Sequence, residues 1–183
     1  YPGLRVELVI SERFLDLSKG EADIALRLGE PTDESLVGRK IADASWAVYA
    51  SRAYVERYGR PHDVEDLNRH LVVGSDGPIM DYPGARWLRA AAPHAIVAAR
   101  SEHWQGVILA VKAGAGVAAM PHWQGDSSEL VRVIDNTGLV LPYYLLMHRD
   151  MQHTPRVRAF ADFVASEIKS FRALLSPGNV NGA

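Results

Sequence analysis

The sequence predicts an α/β protein, and three observations carry that prediction. An amphipathic helical stretch ending at Gly114 runs straight into a short apolar strand, "GVAAMP", halted by Pro121. A one-sided helical pattern with a start signal follows Thr154. Upstream of both, short apolar runs bounded by Gly, Pro, Ser and Asp alternate with helical segments, the order expected of strands layered with helices.

Taken in order, residues 4–10 alternate well enough for a strand. Ser11 is placed to cap a short helix through Ser18, with Gly20 as its stop. A strand over residues 22–28 ends on Arg27, just before Gly29 and Pro31 break the run. "SWAVYA" (residues 45–50) is the next strand, and Ser51 caps the helix "RAYVERY" that Gly59 and Pro61 end. "DVEDLNRHLVVG" reads as a short helix running into a strand at residues 71–73. Residues 75–95, with Gly77, Pro78, Pro83, Gly84 and Pro93, read mostly as loop anchored by Trp87 and Leu88. "HAIVAAR" is a strand.

The following helix is capped by Ser101, carries Glu102 in its first turn and Lys112 in its last, and shows the stripe Trp104, Val107, Ile108, Val111. Residues 130–134 and 142–147 read as strands. The last helix has Thr154 as N-cap, Pro155 at its first position, and an apolar face of Val157, Phe160, Val164, Ile168 and Phe171. The tail from residue 176 to 183 is polar, Gly-rich and expected to fray.

The totals exclude several classes. With 183 residues, 48% hydrophobic, the chain can bury one or two cores. A formal net charge of −2 is not a nucleic-acid footprint. The absence of cysteine removes disulfides and thiolate chemistry. No apolar run approaches the roughly 20 residues of a membrane span, and "YPGLRVELVI" is a structural segment rather than a signal peptide, as if the chain began inside a fold.

Motifs for catalysis are wanting. "GAGVAA" (residues 114–119) fits the dinucleotide fingerprint as letters, but that fingerprint needs strand, glycines, then helix, and here the order is reversed. Gly114 is read as a helix stop and Gly116 as a site of close helix–strand packing. There is no GxSxG elbow and no HExxH pattern, so no metal or other cofactor is expected; His103 and His122 could meet only in three dimensions. The acids Glu7, Glu12, Asp16, Glu21 and Asp23 read as a solvated face and a turn.

What remains points to binding. In open α/β sheets ligands collect at the carboxyl ends of strands, where Arg27 sits. A buried unpaired arginine is costly. Either an acid such as Glu30 or Asp33 pairs with it, or a ligand carboxylate accepts its two parallel hydrogen bonds. The turn from Ser101 to Trp104 starts a helix directly after a strand, which is either an ordinary capped helix or an anion site built from free backbone N–H groups. Ser75 and Asp76 follow another strand end. If Ser11, Arg27, Ser75 and the Ser101 turn face one cleft, that cleft suits a small carboxylate-bearing molecule.

Four stretches in register resemble the effector-binding region of LysR-type transcriptional regulators: "DLSKGEADIALRLGEPTDESLVGRKI", "VYASRAYVERYGRPHDVEDLNRH", "AVKAGAGVAAMP" and "MHRDMQHTPRVRAFADFV". The resemblance spans nearly the whole chain. It implies a two-lobed fold like type II periplasmic binding proteins, with lobe one from residues 1–50 and 144–175, lobe two from 51–143, and a hinge near 48–51 and 142–146. It implies a non-enzymatic, cytoplasmic sensor that binds a small, anionic effector between the lobes. It places Ser11, Arg27, Ser75 and the turn Ser101, Glu102, His103 on the cleft. It implies self-association as a dimer or tetramer, and promoter binding through a helix-turn-helix domain that this chain does not include. Relative to the family, lobe one also lacks its first strand and helix, which leaves its sheet incomplete. The same lobes would serve a solute-binding protein of a transporter, and an α/β enzyme is the third reading; an upstream helix-turn-helix or lipoprotein signal, or turnover on candidate ligands, separates the three.

Overall fold

The computed structural model describes residues 2–135, 137–168 and 170. The strands are β1 (Ala25–Leu28), β2 (Leu36–Ser51), β3 (Leu71–Ser75), β4 (Ile96–Ser101), β5 (Ala118–Pro121), β6 (Leu130–Ile134) and β7 (Val140–His148). The helices are α1 (Arg52–Tyr58), α2 (Pro83–Ala91), α3 (Trp104–Lys112), α4 (His122–Gly125) and α5 (Pro155–Ser166). The chain divides into two units, one from residues 1–44 and 140–183, the other from 45–139. The strand β2 is shared: its first half belongs to unit one and its second half to unit two.

In unit one, β7 lies between β1 and β2. β1 runs antiparallel to β7, from Ala25 opposite Leu146 to Leu28 opposite Tyr143. Ile41, Leu145 and Met147 bury against Val157 and Val164 of α5, so the apolar stripe of the last helix faces this sheet. Pro155 occupies the first position of α5, where its missing N–H is harmless. Thr154 stands at the cap, but its side chain makes no capping hydrogen bond. Phe171 and the tail lie outside the described residues.

The beginning of unit one departs from expectation. Residues 4–10 form no strand, because no strand among the described residues pairs with them; Leu8 and Ile10 are 82% and 99% exposed. The helix expected over residues 11–18 is a single 3-10 turn, Leu17–Lys19, capped by Asp16 rather than by Ser11. The Asp16 carboxylate accepts from the Ser18 amide at 3.0 Å and the Lys19 amide at 3.3 Å, while Glu21 binds Arg13 at 2.8 Å. Local side-chain bonds to backbone have displaced the helix.

Unit two carries helices on both faces of its sheet. β5 and β6 both run antiparallel to β2, with Trp46 opposite Pro121 and Ser51 opposite Leu130. β3 and β4 are parallel, and a parallel bridge between Val72 and Val117 links β3 towards β5. The pleat sorts the core: Val48, Ala50, Val72 and Ala119 pack towards Tyr54, Leu67 and Leu88, whereas Ala47, Tyr49, Val73, Ala118 and Met120 pack towards Val107, Ile108 and Val111 of α3. Each fully buried Val, Leu or Ile side chain contributes about 1.5–3 kcal/mol.

Several predicted elements form as expected. Ser51 accepts from the Tyr54 amide at 3.1 Å and caps α1. Gly114 follows α3 with φ +81°, the left-handed conformation of a helix stop. Gly116 is indeed a close approach, but to the backbone of β3 rather than to a helix: a Cβ there would sit 2.7 Å from the Leu71 carbonyl oxygen.

Two helices were not expected, the single-turn α4 after Pro121 and the longer α2. Within the stretch read as loop, Pro83 and Gly84 open α2 instead of preventing it. Proline suits the first helical position, and glycine is required next because a Cβ would collide with the Trp46 ring and lie 2.9 Å from the Ala119 carbonyl oxygen.

Candidate ligand-binding site

Four of the six predicted site residues come together in unit two. The parallel strands β3 and β4 end in register, with Ser75 opposite Ser101, and the Asp76 amide donates to the Ser101 carbonyl at 2.9 Å. Ser75 is buried. Glu102 and His103 follow Ser101 on the surface, and the Glu102 side chain lies beside Gly77. Arg100 and Asp76 close the outer side of this turn with a 3.1 Å ion pair. The carboxyl ends of two parallel strands thus gather two hydroxyls and an exposed imidazole within one turn, the position at which open α/β sheets bind ligands.

The capping expected of Ser101 is corrected. Ser101 is the last residue of β4, and α3 starts at Trp104 with His103 in the cap position and no side-chain capping bond. The Ser101 hydroxyl instead accepts from the His103 amide at 3.1 Å and donates to the His103 carbonyl at 2.9 Å. Pairing with Ser75 holds Ser101 in the ladder, and Glu102 accordingly precedes the helix.

The other two predicted residues belong to unit one. The Ser11 hydroxyl accepts from the Arg13 amide at 3.2 Å and donates to the Arg13 carbonyl, a local turn at the surface. Arg27 is the third residue of β1, opposite Tyr144. Its guanidinium donates to the Leu15 carbonyl and lies over the Phe14 ring, 5.1 Å from the centroid. Partial burial lowers the pKa of Arg27, against the raising influence of Asp33 and Asp16. The two acids weighed as its partners are engaged elsewhere: Glu30 accepts from the Tyr144 hydroxyl at 2.8 Å, and Asp33 from the Ser35 hydroxyl at 2.6 Å.

Aromatic residues that the sequence reading assigned to core or passed over surround the unit-two turn. Trp46 packs edge-on against Trp104, the first residue of α3, with centroids 6.2 Å apart, and Trp104 lies 6.2 Å from Tyr82, the cap residue of α2. The available signal was two aromatics at the ends of elements, Tyr82 beside Pro83–Gly84 and Trp104 beside the Ser101 turn, whereas Trp46, inside β2, offered none.

His122 is buried, with neither ring nitrogen hydrogen-bonded among the described residues. Burial, helped by Arg132, pushes its pKa down. Beside it Asp126 accepts from the Tyr49 hydroxyl at 2.7 Å and from Arg132 at 2.8 Å, a clamp joining β2, β6 and the end of α4. Among the described residues no cluster of His, Asp or Glu could hold a metal ion, and no helix is long and apolar enough to cross a membrane.

Comparison with known proteins agrees with this architecture. Residues 1–169 match the family model described as LysR substrate binding domain. The transcriptional regulator CrgA of Neisseria meningitidis serogroup C is 28% identical over 181 residues, covering 92% of this chain and 58% of CrgA. A transcriptional regulator of Xanthomonas campestris is 27% identical, with 92% of this chain and 52% of that protein covered. The chain therefore spans little more than half the length of these relatives. Among solved structures, the CrgA regulatory domain superposes with TM-score 0.75 at 24% identity, covering 92% of this chain and 86% of that one. The regulatory domain of Synechocystis CcmR, solved in complex with 2-PG, gives 0.66 at 16% identity over 86% of this chain and 78% of that one.

Proposed function

Because the chain belongs to the LysR substrate-binding-domain family, we propose that it is the ligand-sensing module of a cytoplasmic transcriptional regulator, taking a small anionic effector between two lobes formed by residues 1–50 with 144–175 and by 51–143. The observation that carries this reading is the Ser75–Ser101 turn: two parallel strands end together, with the Ser75 and Ser101 hydroxyls and the exposed His103 in one turn. An anion is favoured there by the positive end of the α3 dipole, directly beyond the turn. Ser11 and Arg27 supply the contacts from lobe one. Promoter DNA is contacted by a helix-turn-helix domain outside this chain, and the regulator self-associates.

The relatives' names, regulators rather than enzymes or transport proteins, support the assignment to sensing. A thermal-shift screen of metabolite anions tests it. A true effector at a hundred times its dissociation constant stabilises the module by about 2.7 kcal/mol. Ser101→Ala should reduce that stabilisation, and a screen in which no anion shifts the transition would contradict the proposal.

A further inference from the structure

Val73 and Ala99 turn towards α3, whereas Val72 turns to the other face of the β3–β4 pair, towards α2. On that face α2 and the strands enclose a cavity of about 310 Å³. Parallel pairing sets Val97 opposite Val72 and Arg100 opposite Gly74, and these four residues form the floor. The helix contributes Ala85, Leu88, Arg89 and Ala92, the i, i+3, i+4, i+7 stripe of one helical face. With alanine at both ends of the stripe, the helix covers the strands without filling the space between. Val72, Leu88 and Ala92 are each 6% exposed and Val97 is 39% exposed, so the cavity is apolar at its back and opens beside Val97.

The polar members of the lining are Ser75, Arg89 and Arg100, and no acid is among them. Arg100 pairs with Asp76 at 3.1 Å; Arg89 pairs with Asp81 at 3.4 Å and donates to the Met80 carbonyl. Asp76, Met80 and Asp81 all belong to the segment between β3 and α2, so both guanidinium groups reach the strand-carboxyl end of the cavity. These bonds use one of the five donors of Arg100 and two of those of Arg89. Exposed ion pairs are weak, so a ligand carboxylate can draw on both cations. The cations select an anion and the buried back selects hydrocarbon. Small-molecule sites run from about 300 to 1,000 Å³, so this one suits a short chain, and it is too small for a helix about 10–12 Å across.

We propose that this cavity is a second ligand site, for a short-chain aliphatic carboxylate. The hydrocarbon packs against Val72, Leu88 and Val97, and Arg89 and Arg100 hold the carboxylate. The site lies across the sheet from the Ser101 hydroxyl, which faces Gly106 of α3, and it does not depend on the sensing site described above.

The test is nuclear magnetic resonance on the chain labelled with carbon-13 in its valine and leucine methyls and nitrogen-15 in its amides, with Val97→Ile and Leu88→Met used to assign the two methyl pairs. The probes are butyrate, hexanoate, hexylamine and 1-hexanol. Hexanoate should move the Val97 and Leu88 methyls along one saturable curve and bind more tightly than the other three. Each of the two methylenes separating butyrate from hexanoate should tighten binding about fourfold. The double variant Arg89→Gln, Arg100→Gln changes only exposed side chains; it should keep the fold and bind hexanoate no better than 1-hexanol. Ala85→Leu should fill the cavity and abolish binding, and should it fail to fold, the double variant carries the test. Methyls unmoved by hexanoate overturn the proposal, including the case in which the His103 and Trp104 amides move instead and place hexanoate at the strand-end turn. Hexylamine or butyrate binding as tightly as hexanoate overturns it, and so does a double variant that still prefers hexanoate to 1-hexanol.

Discussion

Arg27 makes a structural contact in unit one and is proposed to make a ligand contact as well. Its guanidinium holds the segment before β1 through the Leu15 carbonyl and the Phe14 ring. A guanidinium has five donors, so this contact leaves others for a ligand carboxylate. Arg27→Lys keeps the charge and loses the planar fork. It should weaken effector binding by at least about tenfold, since hydrogen bonds to charged groups are worth roughly 1.5–3 kcal/mol. It should cost the fold no more than about 1 kcal/mol for the lost ring contact. Calorimetric titration beside urea unfolding checks both; equal affinities would confine Arg27 to a structural part.

Two buried histidines are expected to weaken the fold as pH falls below neutrality. His70 shares a 3.1 Å hydrogen bond with the Tyr54 hydroxyl, which itself accepts from the Leu71 amide at 3.0 Å. Burial lowers the pKa of His70 below the ordinary 6.5, opposed by Asp66 and aided by His62. His122 is lowered by burial and Arg132, opposed by Asp126 and Asp135. A depressed folded-state pKa means that the unfolded chain binds more protons, so stability rises with pH. Their contribution is fully present above about pH 6.5 and is lost as pH falls through the folded values. Thermal melts from pH 7.5 down to 5 should therefore decline, and His122→Gln should flatten the decline. A wild-type melting temperature constant over that range would contradict this.

At the scale of elements, α2 is the instructive case. Its sequence looks like loop because Pro83 and Gly84 are counted as breakers, yet tertiary contact decides the matter: the glycine admits the ring of Trp46, 38 residues earlier in the chain. Gly84→Ala should destabilise by about 1–3 kcal/mol through overpacking, while Gly3→Ala, which meets nothing within 4 Å, should stay within about 0.5 kcal/mol. Urea midpoints separate them. The reverse failure occurs at residues 4–10, where the alternation is right for a strand and no strand among the described residues pairs with them; hydrophobic period specifies a face but not a neighbour. Elements whose signals are local, such as the Ser51 cap of α1 and the Gly114 stop of α3, were legible without tertiary information.

At the scale of the molecule, periodicity and composition reached only as far as an α/β chain that binds something small. The two-lobed architecture came from four motifs in register, because lobe membership depends on contacts between residues far apart in sequence. Of the candidate site, Ser75 and the Ser101 turn were legible as strand ends; the ring contacts of Trp46 and Tyr82 with Trp104 beside it were not, because they join three elements. The apolar side chains left open at the start of unit one, Val6, Leu8, Val9, Ile10 and Phe14, are expected to be covered by self-association. Light scattering of the isolated chain should give a mass above the 20.1 kDa of one copy, and a monomer at high concentration would count against it.

The central claim is that this chain senses a ligand at the end of β3 and β4. Amide chemical-shift mapping with the strongest stabilising anion from the thermal screen tests it most directly. The account predicts that the largest shifts fall on Ser75, Asp76, Ser101, His103 and Trp104 in unit two and on Arg27 in unit one. Shifts confined to other surfaces, with these residues unmoved at saturation, would contradict it.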